Sequence, residues 1–172
     1  VLEKKMKSFI LSILICLVFI SCKNNNLTES EPFGTLINSY GCKHSYSTAL
    51  NDNQILYRSN EDCIEYDYDG ENRLILKHIN AGFNCCSTIT ADIDVREGTI
   101  IIKEREYGEM CCCLCLYDLD YEIVNIKRKK YKIKVLELCV NENDEKLEFY
   151  IDLSSSLSGK YCVKRDYYPW GI

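Results

Sequence analysis

Between residues 85 and 115 the chain carries six of its twelve cysteines, as the pair Cys85-Cys86 and the cluster Cys111-Cys112-Cys113-Leu114-Cys115. A set this dense in a chain of 172 residues is unusual for a reduced cytosolic protein and ordinary for an exported, cross-linked one. Three chemistries use cysteine in this way. In a disulfide framework, Cys85 and Cys86 reach two different partners, and Cys42, Cys63, Cys139 and Cys162 supply further bridges. In a metal site, soft thiolates at Cys111, Cys113 and Cys115, with Cys85 and Cys86 from a neighbouring strand, hold copper(I) or zinc. In thiol–disulfide exchange, Cys112-Cys113-Leu114-Cys115 acts as a C-x-x-C motif. Two well-separated C-x-x-C pairs, the mark of a zinc ribbon, are absent. Redox C-x-x-C motifs sit at a helix N-terminus, and here a strand is predicted. The framework is therefore the leading expectation, with metal as the alternative and exchange behind it. On a strand, Cys111, Cys113 and Cys115 share one face and Cys112 takes the other with Leu114 and Leu116.

Strands are expected because the apolar period past residue 50 is two. Ile89, Ala91, Ile93 and Val95 alternate with Thr90, Asp92 and Asp94. Arg96-Glu97-Gly98 then reads as a turn, and residues 100–102 open the next strand. Tyr131, Ile133 and Val135 alternate with Lys132 and Lys134, while Leu147, Phe149, Ile151 and Leu153 share another face. Residues 55–58, 63–68, 74–79 and 160–165 are further short candidates. After Val135 the phase slips to Leu136, Leu138 and Val140, which suggests a β-bulge or a strand buried on both faces. Residues 118–126 fit alternation better than a helix, and no stretch past the N-terminal run carries a sustained helical stripe. The expectation is one all-β sandwich of about seven to nine antiparallel strands. The run from Ile123 through four basic residues to Tyr131 resembles the corner of immunoglobulin-like sandwiches, which implies that Tyr131 hydrogen-bonds back over the loop.

The N-terminus reads as an address. Lys7 precedes a mostly apolar run over residues 9–20, the length of a signal-peptide core and too short to span a bilayer; Met6 is the expected start. Phe19-Ile20-Ser21-Cys22 resembles the lipobox of bacterial lipoproteins, which implies lipidation at Cys22 and membrane attachment through the acyl chains. Expected boundaries are thus a signal peptide over 1–21, lipidated Cys22 with a polar tether and loop over 22–50, and the sandwich over 51–172. Lys23 after the cysteine resembles an outer-membrane address. Asn24, Asn25 and Asn26 stand where a surface-export signal would be acidic, so the periplasmic face is expected. Loss of residues 1–21 removes Lys4, Lys5, Lys7 and Glu3, leaving 18 basic and 25 acidic residues, and it leaves ten cysteines besides Cys22. This acidic balance argues against a nucleic-acid partner.

Other chemistry has little to work with. The chain has two histidines. His78 lies on the face of Leu74 and Leu76 and reads as a satisfied core residue, while His44 beside Cys42 is a weak metal hint. Nucleophile-elbow, zinc-protease, phosphate-loop and EF-hand motifs are absent. The acid pairs Asp118 with Asp120 and Glu104 with Glu106 read as solvated strand faces rather than a glycosidase pair. The basic run over residues 127–130 reads as a soluble turn, and Tyr167, Tyr168 and Trp170 as a cap on the core.

Four segments carry a wider resemblance: residues 80–86 (NAGFNCC), 100–106 (IIIKERE), 113–118 (CLCLYD) and 165–170 (RDYYPW). Together they resemble an uncharacterised family of cysteine-rich lipoproteins of Bacteroidota. The resemblance implies an exported all-β domain, matches the family motif at Cys85, Cys86, Cys113 and Cys115, and brings no activity. Sequence alone therefore points to a non-enzymatic envelope lipoprotein, monomeric and without cofactor, anchored by lipid and meeting a protein or glycan partner.

Overall fold

The computed structural model describes residues 30–43 and 60–170. The signal peptide, Cys22, most of the tether, His44, the strand expected over 55–58 and Gly171 lie outside them. Nine strands make up the described residues: β1 (Phe33–Lys43), β2 (Glu61–Tyr68), β3 (Arg73–Asn84), β4 (Thr88–Arg96), β5 (Thr99–Tyr107), β6 (Leu114–Val124), β7 (Lys130–Leu136), β8 (Glu148–Asp152) and β9 (Ser158–Lys164). They form a five-stranded sheet in the order β1-β6-β3-β2-β9 and a four-stranded sheet in the order β4-β5-β7-β8. All ladders are antiparallel except β5–β7, which is parallel.

One hydrophobic core joins the two sheets. Ile64, Leu74, Leu76, Leu119 and Ile123 of the first sheet cluster with Ile100, Ile102, Ile133, Val135 and Ile151 of the second. The alternation that exposes one face of each strand and buries the other places them there. The β4–β5 hairpin turns on Glu97 and Gly98, both with positive φ (50° and 77°), between the paired Arg96 and Thr99. Two such residues are what a tight right-twisted hairpin needs. Between β2 and β3, Asp69 Oδ1 accepts the N–H groups of Glu71, Asn72 and Arg73 at 2.8, 3.0 and 3.1 Å, so its short side chain closes the turn.

Three differences from the sequence expectations have local causes. β1 falls inside the stretch expected as tether and loop. It is an edge strand with register shifts after Leu36 and after Tyr40, so few of its residues are buried and no period-two signal survives. The phase slip after Val135 is a strand end: β7 stops at Leu136, and Glu137 turns inward to pair with Arg165. The cluster at 111–113 is loop rather than strand, since β6 begins at Leu114. Tyr131 is buried, and its hydroxyl accepts the Lys127 N–H at 3.2 Å, the backward bond expected of a corner tyrosine.

Candidate functional site

The end of β3 and the start of β6 gather most of the chemistry. At Asn80 the β3–β6 register shifts, and Asn80 itself has a φ of 65°. This bulge re-aims the rest of β3 so that Ala81, Phe83 and Asn84 are all buried and Cys85 arrives beside the loop before β6. Cys85 bonds to Cys113 and Cys86 to Cys111. Asn84 organises that loop: its Oδ1 accepts the N–H of Cys86 (3.1 Å) and of Cys111 (2.9 Å), and its Nδ2 donates to the Cys111 carbonyl (2.6 Å). A third bridge, Cys42–Cys115, ties β1 to β6. The fourth, Cys63–Cys162, joins directly opposed residues of β2 and β9.

The C-terminal aromatic segment closes on the same place. Trp170 is fully buried and donates through Nε1 to the Asn80 carbonyl at 2.6 Å. The Tyr168 hydroxyl accepts the Leu114 N–H (2.7 Å) and donates to the Leu114 carbonyl (2.5 Å), clamping the residue between Cys113 and Cys115. Tyr117 donates to the Cys85 carbonyl at 3.2 Å. Asp118 accepts the Asn80 N–H at 3.1 Å and pairs with Lys43. The segments 80–86, 113–118 and 165–170, far apart in sequence, thus form one contiguous unit.

Behind it lies a buried ionic chain. His78 is wholly buried, with Nδ1 2.5 Å from Glu104 Oε1 and Nε2 2.7 Å from Asp62 Oδ1. Asp62 Oδ2 accepts Arg165 Nε and lies 3.0 Å from Arg165 Nη2. Nη2 reaches on to Glu137 Oε2 at 3.1 Å, and Nη1 donates to the Glu145 carbonyl at 2.5 Å. Tyr121 donates to Glu104 Oε1 at 2.6 Å. The Arg165 guanidinium also lies 5.8 Å from the Trp170 ring, which links this chain to the aromatic clamp.

Burial alone would strip the proton from His78, but the Glu104 and Asp62 carboxylates outweigh it and hold the imidazole well above its ordinary range. Burial likewise pushes Asp62 up, and His78, with Glu137 and Arg165, reverses this and leaves it below its usual value. Burial and the Asp62 charge push Glu137 up to about 9, so it keeps a proton at neutral pH. Tyr121, buried beside Glu104, is held well above its ordinary value. The result is imidazolium and guanidinium alternating with carboxyl groups. Every buried side-chain polar atom among the described residues has a partner.

No family model, curated protein or solved structure matches this chain.

Two clusters have metal-ligand spacing among the described residues. Asp62, His78 and Glu137 present atoms within 4.8 Å of one another, as do Cys42, Cys85 and Cys115. In the first cluster Arg165 already bridges Asp62 and Glu137, and both nitrogens of His78 face carboxylates, so the cationic role is taken. Of the residues singled out by sequence, Cys85, Cys86, Cys111, Cys113 and Cys115 meet at one end of the domain, with Cys42. Cys63 and Cys162 pair elsewhere. Cys139, expected in a bridge, is a free thiol, and so is Cys112. Cys112 is exposed between two bridged neighbours. Cys139 lies in the loop after β7, where burial and the charges of Glu106, Glu104 and Glu137 push its thiol up to about 11.

Little in the sequence marks the ionic chain. His78 has the pattern of a core residue, but Glu104 has that of a solvated strand face. It is 2% exposed because the even positions of β5 face the core. Trp170 is the cap that the sequence led us to expect, while Tyr168 clamps β6 from an exposed position.

Proposed function

We propose that the chain is an exported cell-envelope lipoprotein, held in the outer membrane through Cys22 and facing the periplasm. Its disulfide-stabilised domain binds or braces a protein or glycan partner and does not catalyse. The observation that carries this reading is the set of four disulfides, which engages eight cysteines of the folded domain. Such a framework belongs to an oxidising compartment. The address at residues 6–22 agrees with that compartment. The buried ionic chain supports a structural role, since His78 is enclosed and bonded at both nitrogens. An immunoglobulin-like type is supported by the two sheets around one core and the Tyr131 corner; the parallel β5–β7 pair departs from the all-antiparallel pattern. The cysteine-rich lipoprotein family of Bacteroidota remains the proposed kinship, supported by the meeting of its motif segments in space.

Expression with labelled palmitate tests the anchor. The wild type should carry label in the membrane fraction, and Cys22→Ser should lose label and become soluble. Label retained by Cys22→Ser would overturn the reading. Alkylation with and without prior reduction tests the framework, and the reduced folded domain should take up eight additional labels.

A further inference from the structure

Two of the four disulfides lie side by side. The Sγ atoms of Cys42, Cys85 and Cys115 are within 4.8 Å of one another although they come from two different bridges. Cys113, bonded to Cys85, falls outside this set of mutually close sulfurs. Cys86 and Cys111 bond to each other and stand outside this cluster.

The backbones around these sulfurs are held by contacts other than the bridges as well. The Cys85 N–H donates to the Cys113 carbonyl at 3.2 Å. Cys115 sits opposite Phe83 in the β3–β6 ladder, and Lys43, next to Cys42, sits opposite Leu116 in the β1–β6 ladder. Tyr168 clamps Leu114 from both its N–H and its carbonyl. Cys115 is buried, and Cys42, Cys85 and Cys113 are half-buried. Opening the two bridges therefore leaves the thiols of Cys42, Cys85 and Cys115 close together, with that of Cys113 to one side.

We propose that Cys42, Cys85 and Cys115, once reduced, form a three-thiolate site for a thiophilic d10 cation, with zinc as its representative and water as the fourth ligand. A tetrahedral zinc–thiolate centre, with Zn–S of about 2.3 Å, needs sulfurs about 3.8 Å apart, so the cluster needs only small side-chain movements. Each disulfide takes two electrons and two protons from an external dithiol, which leaves as a disulfide. Zinc then displaces the protons of the Cys42, Cys85 and Cys115 thiols to water as it binds, while Cys113 keeps its own. The site goes beyond the stapled-module reading and stands independently of the lipid anchor. It also differs from the ligand set that sequence alone suggested, since Cys42 enters and Cys86, Cys111 and Cys113 drop out.

The test uses the purified full chain, reduced with excess dithiothreitol, desalted without oxygen and titrated first with zinc and then with cobalt(II). The expected result is one zinc per chain by elemental analysis. Cobalt should give thiolate charge-transfer and tetrahedral d–d bands, with a β-sheet circular dichroism spectrum retained or restored by the metal. Cys42→Ser and Cys115→Ser should each weaken zinc binding roughly a hundredfold, at least the loss seen for a disturbed ligand shell, whereas the double variant Cys86→Ser/Cys111→Ser should bind like wild type. No stoichiometric metal, equal loss in the Cys86→Ser/Cys111→Ser variant, or metal bound to a chain whose sheet signal stays lost would each overturn the proposal.

Discussion

Asp62 and Arg165, 103 residues apart in the chain, meet in the interior with both side chains fully buried. Asp62 opens the buried face of β2, and Arg165 follows the last residue of β9, its N–H held by the Asn60 carbonyl. Their contact ties the entry of one strand to the exit of the other. Removing one member of a buried pair strands its partner without compensation and costs about 3–5 kcal/mol. Arg165→Met should therefore lower unfolding free energy by about that amount in a urea titration. Arg165→Lys should also destabilise, because an ammonium cannot span Asp62, Glu137 and the Glu145 carbonyl as the guanidinium fork does. A shift under about 0.5 kcal/mol in Arg165→Met, the level of an ordinary surface change, would rule out this role.

The same chain predicts a pH dependence. His78 in the folded state is held well above 6.5, so its stabilising proton is fully present below that value and is lost as pH rises through the folded pKa. Glu137 has a folded value of about 9 against an ordinary 4.5, so it too binds a proton that the unfolded chain has released across that window. Asp62 acts in the opposite direction: its depressed pKa contributes stability above 3.8 that is lost as pH falls through the folded value. Stability should thus fall from pH 6.5 towards 9, by about 1.4 kcal/mol per pH unit for each proton held only by the folded state. Glu137→Gln, which removes one titrating group, should make the slope of urea midpoint against pH shallower. An unchanged slope would show that Glu137 does not hold its proton.

How far this arrangement can be read from sequence depends on how local its causes are. The strands β4, β5, β7 and β8 follow from side-chain alternation that each segment carries in itself. The framework of bridges follows from cysteine number and crowding. β1 has no such signal, because the two register shifts at a sheet edge scramble its pattern. The members of the ionic chain around His78 come from β2, β5 and the segments after β7 and β9, and nothing local to Glu104 between Lys103 and Arg105 separates a buried carboxylate from a solvated one. The distinction between Cys86 and Cys42 as neighbours of Cys85 and Cys115 is equally non-local. It depends on β1 pairing with β6.

Trp170 and Gly82 make a reciprocal prediction. A Cβ placed on Gly82 would meet the indole at 2.6 and 2.8 Å, so the ring rests directly on the β3 backbone. Trp170→Ala removes a fully buried aromatic and its bond to Asn80, and should cost about 3–5 kcal/mol. Gly82→Ala should destabilise by displacing the same ring, by about 1–3 kcal/mol as an overpacking change. Because the two changes act on one contact, the double variant should fall short of the sum of the singles. Strict additivity in thermal or urea unfolding would show that the indole is seated elsewhere.

Cys112 and Cys139 should differ sharply in reactivity, since a thiolate rather than a thiol is the nucleophile. Cys112 is exposed, whereas Cys139 is partly buried with its thiol pushed up to about 11. Iodoacetamide added to the unreduced folded protein at neutral pH should label Cys112 first and Cys139 at least about tenfold more slowly, in line with a pKa rise of two or more from an ordinary cysteine near 8.5. Peptide mapping of the disulfide-linked digest follows each site separately, and Cys112→Ser should abolish the fast phase. Urea should then bring the Cys139 rate up to that of an ordinary thiol. Equal rates at the two positions before urea would mean that Cys139 is not enclosed by the loop after β7, and a protein without any fast label would mean that Cys112 is already bonded.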